Sequence, residues 1–356
     1  MKIRKNKKNS LLNKSKHYVI VKKKKIDTKS KKFDITFDVT INFIIKIICI
    51  LFMLILLFRF FIKRKNKFKK RNFFACFVGM GKRENKYIRE YIEYYSKLGV
   101  EKFIIADNND NNTEKFSDVI QDYIDDDIVD IINITDSNIG QSEIYNLTYK
   151  RYNCKWILYF DFDEYLEVHF EKNKSLGLNE FLSNNIFNKC EAIEFNWVMY
   201  KDNNLIYYDK RPLLERFTEP YFNYGDNVHV KSIVRGNLNK TVFEEKKSNH
   251  VPDKNLTICD SKGRIISNYN PFILKPPVFD NGYLKHFNQK TAEEYCNKMW
   301  RGRPRKIVYK LDERVIGFFK LNKFSYEKLK LFEKKFNRTF DVKRIFSTIG
   351  FRGNKT

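Results

Sequence analysis

The sequence predicts an α/β fold, a doubly wound and mostly parallel sheet with helices on both faces. Three observations carry that expectation. From residue 73 onward, apolar runs of strand length alternate with helical periods in units of about 25–30 residues, as a parallel sheet with crossover helices requires. The fourth run, Trp156-Ile157-Leu158-Tyr159-Phe160, is apolar and aromatic throughout, as a strand buried on both faces is. That run then breaks into Asp161-Phe162-Asp163-Glu164-Tyr165, which places carboxylates at the carboxyl end of a strand, where open α/β sheets bind ligands.

The elements follow in order. Phe73–Val78 is the first strand. Glu84–Leu98 carries apolar or aromatic residues at 87, 88, 91, 92, 95 and 98, a helical period closed by Gly99. Val100–Ala106 is a strand ending in Asp107-Asn108, Ser117–Tyr123 a helix, Ile128–Ile134 a strand and Gly140–Tyr152 a helix leading into Trp156–Phe160. Beyond the carboxylates, Ala192–Met199, Leu205–Tyr208 and Val228–Val234 read as strands, and residues 236–277 as loop. Thr291-Ala292-Glu293-Glu294 is a capping box that opens a short helix to Trp300. Tyr326–Phe336 reads as helical.

The chain has 356 residues and a formal charge of +26, distributed unevenly. Residues 1–71 hold 23 Lys/Arg against 3 acids, and the rest hold 46 against 40. A nucleic-acid binder carries its charge on the folded domain, so no nucleic-acid partner is expected. Residues 1–40 are polar and lysine-rich and are expected to be disordered. Residues 41–62 are apolar apart from Asn42, Lys46 and Arg59, and as a helix they would span roughly 33 Å, enough for a bilayer core. A single-pass membrane anchor is expected there, with 63–72 as a basic linker. Basic residues crowd both flanks, so the positive-inside rule does not settle its orientation. A type II arrangement of the Golgi or ER kind is expected, with a cytosol-facing domain as the other arrangement. The globular part divides into a main domain, 73–310, and a helical extension, 311–356.

Six cysteines (49, 76, 154, 190, 259 and 296) are scattered without a C-x-x-C pair. They read as small core residues with no zinc site and no disulfide framework, one bridge being left open.

The chemistry-bearing groups sit at strand ends. Asp161 and Asp163 are oxygen ligands suited to Mn²⁺ or Mg²⁺. Glu84, Asp107, Asn108 and Gln141 follow or precede predicted elements and can hydrogen-bond a base and ribose, although Asn and Asp at such places serve as turn residues more often. The chain has no G-x-G-x-x-G and no G-x-x-x-x-G-K-[ST], which disfavours dinucleotide and P-loop sites.

Taken together, Gly81 to Ile92, Tyr94, Leu98-Gly99-Val100 and Asp107-Asn108 resemble the N-terminal signature of glycosyltransferase family 92 and its family-2-like relatives. The likeness continues through Gln141, the D-x-D-E stretch, Lys231-Ser232-Ile233-Val234-Arg235, His286-Phe287, Lys290, Glu293-Glu294 and Lys298 to Arg303, with Tyr91 where Trp is usual and Thr291 in place of Ser. The resemblance covers residues 73 to about 305. It implies a GT-A fold, a nucleotide-sugar donor (a UDP-sugar first), a divalent metal, and a glycan or other hydroxyl acceptor. By that resemblance Asp161 and Asp163 hold the metal, a late histidine, His286 or His250, joins them, and Lys290, Arg301 and Arg303 hold the diphosphate. Glu164 orients the metal ligands, and His229 and His169 are structural. An inverting transfer also needs a general base, for which Glu215 is the candidate and Glu194 the reserve. Two other readings fit the same carboxylates: a metal-dependent phosphoryl-transfer or nuclease-type enzyme using Asp161, Asp163 and Glu164, and a non-catalytic membrane protein on a transferase fold.

Overall fold

A computed structural model describes residues 43–56, 72–135, 137, 139–149, 151–170, 174–239, 242–243, 253, 255–267, 270, 272–302 and 310–350. The expected disordered tail 1–40, the linker from 63 to 71, His250 and Arg303 lie outside the described residues. The chain forms two compact units, Met1–Lys69 and Lys70–Thr356.

In the first unit, residues 43–56 form a helix, α1, whose side chains are all exposed and, Lys46 and Cys49 aside, large and apolar. Fourteen residues rise only ~21 Å, short of a hydrocarbon core. No helix among the described residues is long and apolar enough to cross a membrane. The expected span of 41–62 is therefore not seen as one continuous helix. Its ends, 41–42 and 57–62, lie outside the described residues.

The second unit begins as predicted. Strand β1 (Asn72–Gly81) leads to α2 (Asn85–Leu98), β2 (Lys102–Asp107), α3 (Phe116–Asp125), β3 (Val129–Asn133), α4 (Gln141–Tyr149) and β4 (Asn153–Tyr159). These four strands pair in parallel in the order β3-β2-β1-β4. Alternation along β1 sends Ala75 and Phe77 into a core under α2 and α3, and Cys76 and Val78 into a second core under α4. On the first face the rings of Phe77, Tyr91, Phe162 and Tyr165 meet edge-on or tilted at 5.1–5.8 Å, the arrangement aromatic quadrupoles favour. The apolar stripe of α2 supplies this cluster, and Gly99 ends the helix in the left-handed region at φ 115°.

Past β4 the sheet becomes mixed. Strands β5 (Glu164–Val168), β6 (Ala192–Tyr200), β7 (Pro220–Tyr221), β8 (Val230–Arg235), β9 (Ile258–Asp260) and β10 (Gly282–His286) complete it. The path continues β4-β8-β6-β10-β5, with β8 antiparallel to both β4 and β6, and β10 parallel to β6 but antiparallel to β5. The expectation of a mostly parallel sheet holds for the first half only. Helix α5 (Leu178–Leu182) packs in the first core. Gly236 turns away from the end of β8 where an added Cβ would lie 1.7 Å from the Cys154 carbonyl oxygen, so no side chain fits there.

Leu205–Tyr208, expected as a strand, is a loop. Asn203 and Asn204 both take positive φ, 47° and 59°, and end the extended run. The segment is instead tied to α7 (Ala292–Arg301): Glu293 donates its N–H to the Ile206 carbonyl, and the Glu293 carboxylate accepts from the Tyr208 N–H at 2.7 Å. Between them, α6 (Leu213–Arg216) sends Arg216 into a buried pairing with Glu294 at 2.8 and 3.0 Å, and Glu294 also accepts from the Tyr87 hydroxyl. The chain closes with α8 (Leu311–Leu321), α9 (Tyr326–Phe336) and α10 (Val342–Ile349), which share a third core with α7.

Four of the six cysteines are paired, contrary to expectation. Cys76 on β1 bonds to Cys154 on β4, and Cys190, just before β6, bonds to Cys259 on β9. The sequence hid these bridges because the sheet, not a short spacing, brings the partners together across 78 and 69 residues. Cys49 and Cys296 remain free.

Two outcomes are expected. In urea without reductant, a thiol probe should label two cysteines, rising to six after reduction, and replacing Cys190 and Cys259 together by alanine should lower unfolding free energy by about 2–5 kcal/mol. Replacing Arg216 by methionine strands a buried carboxylate and should cost about 3–5 kcal/mol in urea unfolding.

Candidate active site

The site forms where β4 ends. The chain turns through Asp161 to Glu164, closed by the Glu164 N–H to the Asp161 carbonyl at 3.1 Å and by the Asp161 N–H to Glu164 Oε2 at 2.8 Å. The turn runs directly into β5. Because β10 pairs with β5 in a register that sets His286 opposite Glu164, His286 arrives beside Asp163, and the Phe287 N–H donates to the Asp163 carbonyl at 2.8 Å.

Asp163 is the most heavily charged point. Lys298, in the last turn of α7, donates to its Oδ2 at 2.6 Å, and the Lys290 ammonium lies 4.0 Å away. Burial pushes the Asp163 carboxyl up, but the ammonium groups of Lys298 and Lys290 overcome it and hold it well below the usual carboxylate range. His286 Nε2 stands 3.7 Å from Asp163 Oδ1, too far for a hydrogen bond. Burial pushes its imidazole down to about 3, so the ring is neutral, and Nδ1 is buried without a hydrogen-bond partner among the described residues. The ring rests 4.2 Å, centroid to centroid, from Trp197 on β6.

Asp161 is held differently. Gln141, the first residue of α4, donates to Oδ1 at 2.7 Å, and Lys231 on β8 donates to Oδ2 at 2.7 Å. Lys231 is fully buried and also faces Glu164 Oε2 at 3.8 Å. Burial pulls the Lys231 ammonium down, but Asp161 and Glu164 reverse this and raise it, whereas burial drives the Glu164 carboxyl well up.

The residues present suit a divalent cation in one respect. Nε2 of a neutral imidazole faces Oδ1 of a buried, ionised carboxylate across a 3.7 Å gap that a shared cation would fill. Two protein ligands are enough for Mg²⁺ or Mn²⁺ when substrate phosphates and water complete the shell. Asp161 is already engaged with Gln141 and Lys231, and no group of three His, Cys, Asp or Glu side chains converges among the described residues.

The other predicted positions are spread around this centre. Glu84 and Arg301 meet each other at 2.5 Å, and Arg301 also donates to the Lys82 carbonyl, which ties α7 to the end of β1. Both Asp107 oxygens accept backbone N–H groups, from Asn109 and Phe116, at 2.8 and 2.9 Å, while the Asn108 N–H bonds the Gly81 carbonyl. Glu215 is exposed on α6, and the described side-chain contacts of Asp161 and Asp163 go to Gln141, Lys231, His286, Lys290 and Lys298. Glu194 is sealed in the core on β6, where burial alone pushes it up to about 8.

Sequence reasoning gave no role to Lys231 or Lys298, although both lie in the stretches that resemble the family. The signal for Lys231 was a lone cation inside the strand run Val228–Val234. Lys298 comes four residues after the end of the Thr291–Glu294 capping box, a helix's last turn, where lysine is unremarked.

No relative is found among curated protein sequences. Among solved structures, TarS residues 1–349 from S. aureus is 12% identical, covers 79% of this chain and 76% of its own, and has a TM-score of 0.32. The same protein in complex with UDP-GlcNAc is 12% identical over 78% and 81% at 0.30, and HddC from Yersinia pseudotuberculosis is 14% identical over 45% and 69% at 0.25. Likenesses this loose carry no weight for fold or function. Glycosyltransferase family 92 matches residues 71–316, from the start of β1 to the middle of α8. The chain belongs to Glycosyltransferase family 92 and is a glycosyltransferase.

Proposed function

We propose that the protein transfers a sugar from a nucleotide-sugar donor, a UDP-sugar first, to a hydroxyl of a glycan or glycoconjugate, with help from Mn²⁺ or Mg²⁺. The observation that carries this is the buried Asp163 carboxylate beside a neutral His286, ringed by Lys290 and Lys298. Asp163 and His286 would hold the cation, which when bound supplies Lewis-acid stabilisation of the leaving diphosphate. Lys290 and Lys298 meet the same diphosphate oxygens, and Lys298, which is 28% exposed, can swing from Asp163 to an arriving anion. Asp161, fixed by Gln141 and Lys231, offers its carboxylate to sugar or ribose hydroxyls. For an inverting transfer a carboxylate takes the acceptor's proton. Glu215 is open to an acceptor from solvent, whereas Glu194, buried and raised to about 8, is not.

The two disulfides favour an oxidising compartment for this unit. The exposed apolar helix at residues 43–56 favours membrane attachment through residues 41–62. Together they support a type II arrangement, with the catalytic unit in a lumen.

The reading is tested by thermal shift against UDP- and GDP-sugars with and without Mn²⁺, followed by transfer assays on the stabilising donor. Stabilisation by a nucleotide-sugar that needs Mn²⁺ is expected, and stabilisation by none would overturn it. Asp163→Ala should lower transfer by at least about 100-fold, since even groups behind a metal ligand cost 10–100-fold, with its urea-unfolding transition still cooperative. His286→Ala should weaken Mn²⁺ binding measured by electron paramagnetic resonance. Full transfer by either variant, or in EDTA, would contradict the metal role.

A further inference from the structure

Lys290 is held in a backbone conformation that a lysine does not choose. Its φ is 57°, in the left-handed region that side chains with a Cβ avoid. Its side chain is 4% exposed, and its ammonium makes no hydrogen bond to a described residue. Around it stand the Asp163 carboxylate at 4.0 Å and the face of the Tyr87 ring at 4.5 Å from the centroid, with the charges of Glu84, Glu294 and Lys298 acting on it from beyond ion-pair distance. A buried ammonium that spends no hydrogen bond on a described residue has donors to offer an anion.

The brace for this arrangement comes from the C-terminal helices. Gln289, the preceding residue, is buried and bonded at both ends of its amide. Its Nε2 donates to the Gly317 carbonyl inside α8 at 3.2 Å, and its Oε1 accepts from Asn322 Nδ2 at 2.5 Å. Asn322 is the residue that closes α8. Its own Oδ1 accepts the Asp202 N–H at 2.7 Å, and the Asp202 carboxylate is paired with the buried Lys328 of α9. On the other side of Lys290 the Thr291–Glu294 capping box fixes the start of α7. Lys290 thus stands between two anchored residues, one anchored by a segment that lies beyond the family match.

We infer that Asn322 is a positioning residue for the donor's diphosphate: through Gln289 it holds the Lys290 ammonium toward the anion, so the C-terminal helices belong to the donor site. This rests on reading the surroundings of Asp163 as a nucleotide-sugar site. Isothermal titration of the full chain with UDP and Mn²⁺ tests it, using Asn322→Ala and Gln289→Met, each alone and combined with Lys290→Met. Gln289→Met leaves the Asn322 to Asp202 link in place, which covers the case in which Asn322→Ala does not fold. Each brace variant should weaken UDP binding about tenfold, and neither should weaken it further once Lys290 is methionine, as coupled neighbours behave. Unchanged UDP affinity in the brace variants, even with a lowered melting temperature, would overturn the inference. So would penalties that persist in full beside Lys290→Met. A lack of UDP binding by the unsubstituted protein would instead sink the nucleotide-sugar reading, and this inference with it.

Discussion

One buried charge organises this molecule. The Asp163 carboxylate lies out of water, where an isolated anion is unstable, and it persists because Lys298 and Lys290 stand against it. Meeting that requirement fixes much of the surrounding architecture. Lys298 must come from the end of α7, so α7 is tied to β1 through Arg301 and to α2 and α6 through Glu294. Lys290 must enter from a left-handed turn, so that turn is held from both sides. His286 must stand alongside, which the antiparallel pairing of β10 with β5 secures. The central sheet delivers the aspartate, and α7 with the turn before it delivers the ammonium groups that keep it ionised.

The two aspartates of the D-x-D stretch are not equivalent. Asp163 is buried among cations, with one oxygen facing a neutral imidazole. Asp161 is more than a third exposed and braced by an amide and one lysine. Their separate surroundings leave one carboxylate enclosed by ammonium groups and the other partly open to solvent. Lys231 steadies Asp161 while compensating Glu164 behind it.

The first half of the fold was legible because its signals are local. Apolar runs alternate with helical periods, Gly99 stops a helix, and Asp161 to Glu164 interrupts a buried strand. In the second half, β6, β8, α7 and α9 were legible for the same reason, whereas β5, β9 and β10 were not, because they are short and owe their existence to partners far along the chain. Leu205–Tyr208 has strand composition, yet two asparagines at positive φ and the start of α7 claim it for a loop. At the site, the carboxylates and His286 were readable from residue type and order. Asp107 looked like a ligand-binding acid, but its oxygens go to backbone groups, a role residue type does not distinguish. Lys231 and Lys298 were hidden by the abundance of lysine, since the chain carries so many that one more attracts no notice. The disulfides were hidden for a geometric reason: the distance that matters is measured across the sheet.

Those two crosslinks lie on the far side of the sheet from the chemistry. Cys154 lies near the start of β4 and Cys190 precedes β6, whereas Asp161 and Asp163 follow the carboxyl end of β4. A reductant would therefore behave as a slow denaturant and not as an inhibitor. The enzyme would keep its turnover while the neighbouring strands that the bridges join lost their crosslinks, then lose it when the sheet came apart.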